Sequence, residues 1–158
     1  MPDISRQRLH KVSIVPTLDT GAYVANDAMH TGAIVLSNII RKMNHSCEVV
    51  SCVVNDLDAQ NGAMSFHFFS QNPSTSTITA NSALDIADSE MPNHLGSFAI
   101  AAGDYEAFAD NSAATKVNIG LALKADSDVR DLYLVIKSKD TKTYTASGLK
   151  ISFLIRQD

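Results

Sequence analysis

Apolar positions in this chain recur mostly with a period of two, in short runs set between clusters of Asn, Asp, Ser, Gly and Pro. That is the signature of β-strands joined by turns. The densest part is residues 47–70. Residues 47–54 (CEVVSCVV) are β-branched-rich and free of Gly and Pro, as a largely buried strand requires. Residues 55–62 then supply side chains that bend a backbone, since Asn and Asp bond their own main chain and Gly accepts positive φ. Residues 63–70 resume strand chemistry, with Met64, Phe66 and Phe68 on one face and Ser65, His67 and Phe69 on the other. Three of the six Phe stand in that run, so the two strands are expected to form a hairpin at the centre of the core.

The flanking segments extend the pattern. Residues 1–7 read as a polar arm, and 8–15 as a first strand ended by Pro16. Residues 17–27 read as an extended crossing. In 32–42 the length would allow a helix, but Ile34, Val35, Ile39 and Ile40 favour a strand, bulged near Asn38. After a turn-rich break at 71–77, residues 81–90 predict a short helix, capped by Asn81 or Ser82 and stopped by Pro92. Residues 95–100, 114–123, 131–137 and 149–156 complete the strands. Val117, Ile119, Leu121 and Leu123 are expected on one face, and Tyr105 and Phe108 are expected to be pinned to the core.

About eight strands, one short helix and no repeated strand-helix alternation predict an all-β fold: an antiparallel β-sandwich, jelly-roll-like, in a single domain over 8–158. The expected core is Val49 or Val50, Val53 or Val54, Phe66, Phe68, Ile119, Leu121, Leu134, Ile136, Ile151 and Phe153.

Composition narrows function by exclusion. A net charge of -4 with scattered Lys and Arg lacks the footprint of a nucleic-acid binder. The densest basic group, Lys137, Lys139 and Lys142 around Asp140, reads as a solvated hairpin turn. No run approaches the length of a membrane span, and the first residues lack the apolar region of a signal peptide, so synthesis in a reducing cytoplasm is expected. Cys47 and Cys52 are five apart in one strand. They are expected on opposite faces as buried free thiols.

Candidate chemistry is sparse. Asp56, Asp58 and Asn61 space their oxygens somewhat as a calcium loop does, but the third alternate ligand and the distal Glu are missing, so an Asx-rich turn is the expectation. His10, His30, His45, His67 and His94 are dispersed without ligand spacing, and His67 is expected on the less buried sheet face. Neither a GxSxG elbow nor a phosphate-binding glycine loop occurs, and Asp104, Glu106 and Asp110 read as a solvated acidic loop. No catalytic activity and no cofactor are expected.

Several stretches taken together resemble small structural proteins encoded beside the capsid genes of tailed bacteriophages. They are residues 53–56 leading into 66–69, then 73–75, 81–88, 104–105 with 108–111, 118–121, 132–133, and 144–145 before the last strand. The resemblance spans about residues 8–158. It implies a virion component on the capsid surface, a decoration or cement protein that binds the major capsid protein, with itself as second partner in a homotrimer. The alternative it leaves is a fibre, spike or tail module that binds carbohydrate. Candidate partner-binding residues are Asp3, Arg6 and Arg8 in and beside the arm, Asp56, Asp58 and Asn61 in the first polar loop, and Asn72 and Pro73 in the second.

Overall fold

The computed structural model describes residues 7–158. Its strands are β1 (Arg8–Ile14), β2 (Ala22–Tyr23), β3 (Ile34–Leu36), β4 (Ser46–Asp56), β5 (Met64–Phe69), β6 (His94–Ile100), β7 (Tyr105–Ala107), β8 (Ser112–Lys116), β9 (Leu121–Lys124), β10 (Leu132–Ser138), β11 (Lys142–Thr143) and β12 (Leu149–Gln157). One sheet runs β1-β12-β4-β8-β7, with β9 also paired to β4, and a second runs β3-β10-β5-β6. The strands β2 and β11 make a separate two-stranded ribbon. All pairings between strands are antiparallel. One set of long-range pairs is nested, β1 with β12, β3 with β10, β4 with β8 and β9, and β5 with β6, while β12 with β4 and β10 with β5 join these into the two sheets.

The expected hairpin of residues 47–70 does not form. Its two strands lie in different sheets, β4 between β12 and the β8/β9 edge, β5 between β10 and β6. Each strand carries one apolar face, and facing each other across the interior buries Val49, Cys52 and Val54 together with Met64, Phe66 and Phe68 in one cluster. The polar connection is therefore a corner between sheets. Phe66, Phe68, Phe98 and Phe153 form the aromatic centre, with Phe66 stacked on Phe98 at 5.0 Å between centroids and edge-on to Phe153 at 5.6 Å. Of the alternatives left open in the core, Val49 and Val54 point inward. Ile119 and Leu121 pack against the cluster half-buried.

A bulge in β4 changes the side-chain parity. Ser51 pairs with Leu154 and Val49 with Ile155, so Val50 is an extra residue. Cys47 and Cys52 consequently share the inward face, and both are buried and free, contrary to the simple period-two expectation. Opposite the bulge, the strand expected over 114–123 breaks into β8 and β9. Asn118 and Gly120 take positive φ there, Ile119 N–H still donates to Val50 O at 3.1 Å, and Val117 turns outward.

Four further expectations are corrected. Residues 81–90 are not helical: Asn81 has φ 57°, and isolated bridges Asp27–Ala83, Ala28–Ala80 and Thr77–Asp85 hold the segment extended against its neighbours. The competing pull is a second small cluster, where Leu84 and Ile86 pack on Ala28, Phe69, Ile78 and Val135 over the outer face of the four-stranded sheet. A 3-10 turn, Met91–Asn93, follows, with Pro92 inside it. In 32–42 only Ile34–Leu36 pairs as a strand, and Asn38 at φ 55° turns the chain so that Ile39 and Ile40 plug the core from a loop. Phe108 is exposed, whereas Tyr105 does pack against the core. Lys137 lies within β10 and Lys142 in β11, in separate sheets, so the basic group does not cap a hairpin.

Candidate functional site

Asp3 and Arg6 fall outside the described residues. Arg8 is exposed at the start of β1, opposite Gln157, which itself pairs with Cys47. Asp56 sits at the other end of β4, roughly 30 Å away at about 3.3 Å per residue. There the structure brings Asp56, Asp58 and Asn61 together. Asp56 is fully buried, and its carboxylate accepts the Asp58 N–H at 3.0 Å and the Asn61 N–H at 2.8 Å. Asp58 reaches across to the β11–β12 connection, accepting from Thr145 N–H at 2.7 Å and from its hydroxyl at 3.0 Å. These carboxylates hold the corner in shape, which is what an Asx-rich turn does. Asn72 is exposed and Pro73 buried in the connection after β5, a separate element. Glu90 ties that connection back by accepting from Thr75 N–H at 3.0 Å and from the Ser76 hydroxyl.

Sequence reasoning missed a second place. His67 on β5 and His94 at the start of β6 meet on the outer face of the four-stranded sheet, Nδ1 to Nε2 at 3.3 Å, and His67 Nε2 contacts the Ser65 hydroxyl at 2.9 Å. They open on a cavity of about 250 Å³ walled by Phe69, Leu84, Ile86, Met91 and Lys137. Burial, then His94, then the Lys137 and Lys139 charges push His67 down to about 4, and burial lowers His94 as well. At neutral pH the cavity thus offers two neutral imidazoles between apolar walls, with Lys137 also lining it. Ser65 is buried and forms no part of those walls, so its hydroxyl is not presented to a molecule lying there. The alternation of His67 with Phe66 and Phe68 placed it on the outer face correctly. Its meeting with His94 follows from the β5–β6 register, in which a bulge opposite Phe68 and Phe69 draws His94 up.

The open side of β1 is the third feature. β1 pairs with β12 on one side only among the described residues, leaving its other backbone edge without a strand. Leu9 and Val15 on or beside it are 59% and 53% exposed, with Arg8, Lys11 and Ser13 also outward. Such an edge can accept a strand from another chain, and the charged residues guard it against indiscriminate pairing. No protein-family model matches this chain, and no curated protein matches it.

Proposed function

We propose that the protein is a structural component of a virion, a decoration or cement protein that binds a major capsid protein on the outside of the head. The observation that carries this reading is the nested pairing of β1 with β12, β3 with β10, β4 with β8 and β9, and β5 with β6. Such nesting supports a jelly-roll-like reading of the sandwich, one long hairpin rolled into two facing sheets, an architecture shared by viral shell domains, lectins and cupins. Fold alone does not choose among those uses, so the choice rests on surfaces.

Sugar binding would favour a platform of several exposed aromatic rings, yet Tyr23 and Tyr144 are buried, Tyr105 and Tyr133 are half-buried, and Phe108 stands alone as an exposed ring among the described residues. The space between the sheets is filled by four Phe rings in mutual contact. What remains is a body with tied corners and an open β1 edge, which suits gripping a neighbour. Three-fold positions on a head lattice make a homotrimer the expected assembly, with many weak contacts acting together.

Copy number in purified particles, by quantitative mass spectrometry, tests the reading. Hundreds of copies per head support shell decoration. A handful per particle favours the second reading, a tail, fibre or spike part, and none overturns both.

A further inference from the structure

Four buried side-chain polar atoms among the described residues have no hydrogen-bond partner: Asn61 Oδ1, Ser112 Oγ, Asp140 Oδ1 and Tyr144 Oη. All four belong to residues that converge on one corner. Asp140 Oδ2 accepts the Ala63 N–H at 3.0 Å, and Asp56 Oδ2 accepts the Asn61 N–H at 2.8 Å, so two carboxylates bracket the three-residue stretch 61–63. Ser112 lies opposite Asp56 in the β4–β8 register. Tyr144, 3% exposed, presses its hydroxyl against Gly62, where a Cβ would collide with it. Tyr105 closes the other side, donating to Gly62 O at 3.0 Å.

The Asp56 carboxylate is met at this corner by backbone N–H groups and not by a cationic side chain of the described residues. The two ion pairs among the described residues are Lys116–Asp104 and Arg156–Glu48, and neither includes Asp56 or Asp140. Burial, with the nearby Asp56 and Asp140 charges, drives both phenols well above their ordinary range. Lys142 runs its stem past Gly62 at 3.2 Å from the place a Cβ would take. Buried carboxylate and amide oxygens without a partner, here Asp140 Oδ1 and Asn61 Oδ1, are costly unless something positive or proton-donating meets them.

We propose that Asp140 Oδ1, Asn61 Oδ1 and Tyr144 Oη, over the Asp56 carboxylate, form an internal site for a hard divalent cation, calcium being the best fit. Calcium takes six to eight oxygens in adaptable geometry and accepts carboxylate, amide and water oxygens together, so water completes the shell here. The loop 56–62 alone lacks enough ligands. Tertiary structure supplies the missing ones from Asp140 and Tyr144, about 80 residues further along. A bound cation would lock the corner to both sheets.

The test is thermal unfolding and calorimetric titration of the full chain, stripped with EDTA and then given 1 mM CaCl2 or MgCl2. Calcium should raise the melting temperature by about 4 °C or more, magnesium by less. Asp140→Asn should lose that shift, and Asn61→Asp, which adds a charge and tolerates the left-handed backbone, should enlarge it at least twofold. Should Asp140→Asn fail to fold, the Asn61→Asp comparison still decides. An unchanged melting temperature and no heat of binding for the wild type overturn the proposal in favour of buried water. A calcium shift that ignores both substitutions overturns it too, because the ion then binds elsewhere.

Discussion

His30 and Ile136 stand 106 residues apart, and Nε2 of the imidazole accepts the Ile136 backbone N–H at 2.9 Å. Nδ1 donates to Gly32 O at 2.7 Å, so the neutral ring satisfies both nitrogens, whereas a protonated one would set a donor against a donor. Burial accordingly pushes His30 down to about 4, from about 6.5 in an unfolded chain. The depressed folded value fixes the sign. The unfolded chain takes up the proton first, so this stability is fully present above about pH 6.5 and is lost as pH falls toward 4. The loss amounts to roughly 3 kcal/mol, and His67 adds to it in the same direction. Asp56, raised by burial, works oppositely in the carboxylate range, so the histidine effect is cleanest above pH 5. Urea unfolding at pH 7.5 and 5.2 should show about half of that loss, and His30→Ala should remove the His30 share while the smaller His67 share remains.

Phe66 is fully buried against Phe98 and Phe153. Truncation to Ala removes contacts on both sheets at once and should cost about 3 to 5 kcal/mol in urea unfolding. A cost under about 1 kcal/mol would mean that the two sheets do not face each other there.

Asp58 and Thr145 couple the polar corner to the last strand. Asp58→Ala and Thr145→Ala, singly and together, should give a coupling near 1 kcal/mol in a double-mutant cycle, because Thr145 contributes one hydroxyl to a carboxylate that keeps its backbone donor. Additivity would assign the corner's rigidity to Asp56 alone.

Burial pushes both Cys47 and Cys52 up to about 12. Neither thiol should react with a disulfide reagent in the native protein at pH 8, and two should react on unfolding. Fast labelling of one in the native state would contradict the inward placement that the Val50 bulge creates.

Period-two patterning carried most of the strands into view because β-strands with one buried face repeat at that period. It placed Phe66, Phe68 and His67 on their correct faces. It could not reveal that β4 and β5 part company, since a polar loop of this length serves a hairpin and a sheet-to-sheet corner equally. Bulges were equally hidden: Val50 looks like any other valine, yet it reverses the parity of Cys47 against Cys52. Asn81 carried two meanings, helix cap and left-handed turn, and packing of Leu84 and Ile86 onto Phe69 decided for the turn. At the corner, Asp56 and Asn61 were visible as turn formers. Asp140 and Tyr144 were not, because only tertiary contact brings them there.

The most direct test of the proposed role is re-addition of the protein to heads prepared without it. Full-length protein should bind to saturation and raise the temperature at which the heads rupture. A double substitution on the open edge, Leu9→Glu with Val15→Glu, both at exposed positions, should leave the isolated fold intact by circular dichroism while weakening binding at least tenfold. Full-length protein that neither binds the heads nor delays their rupture would contradict the account.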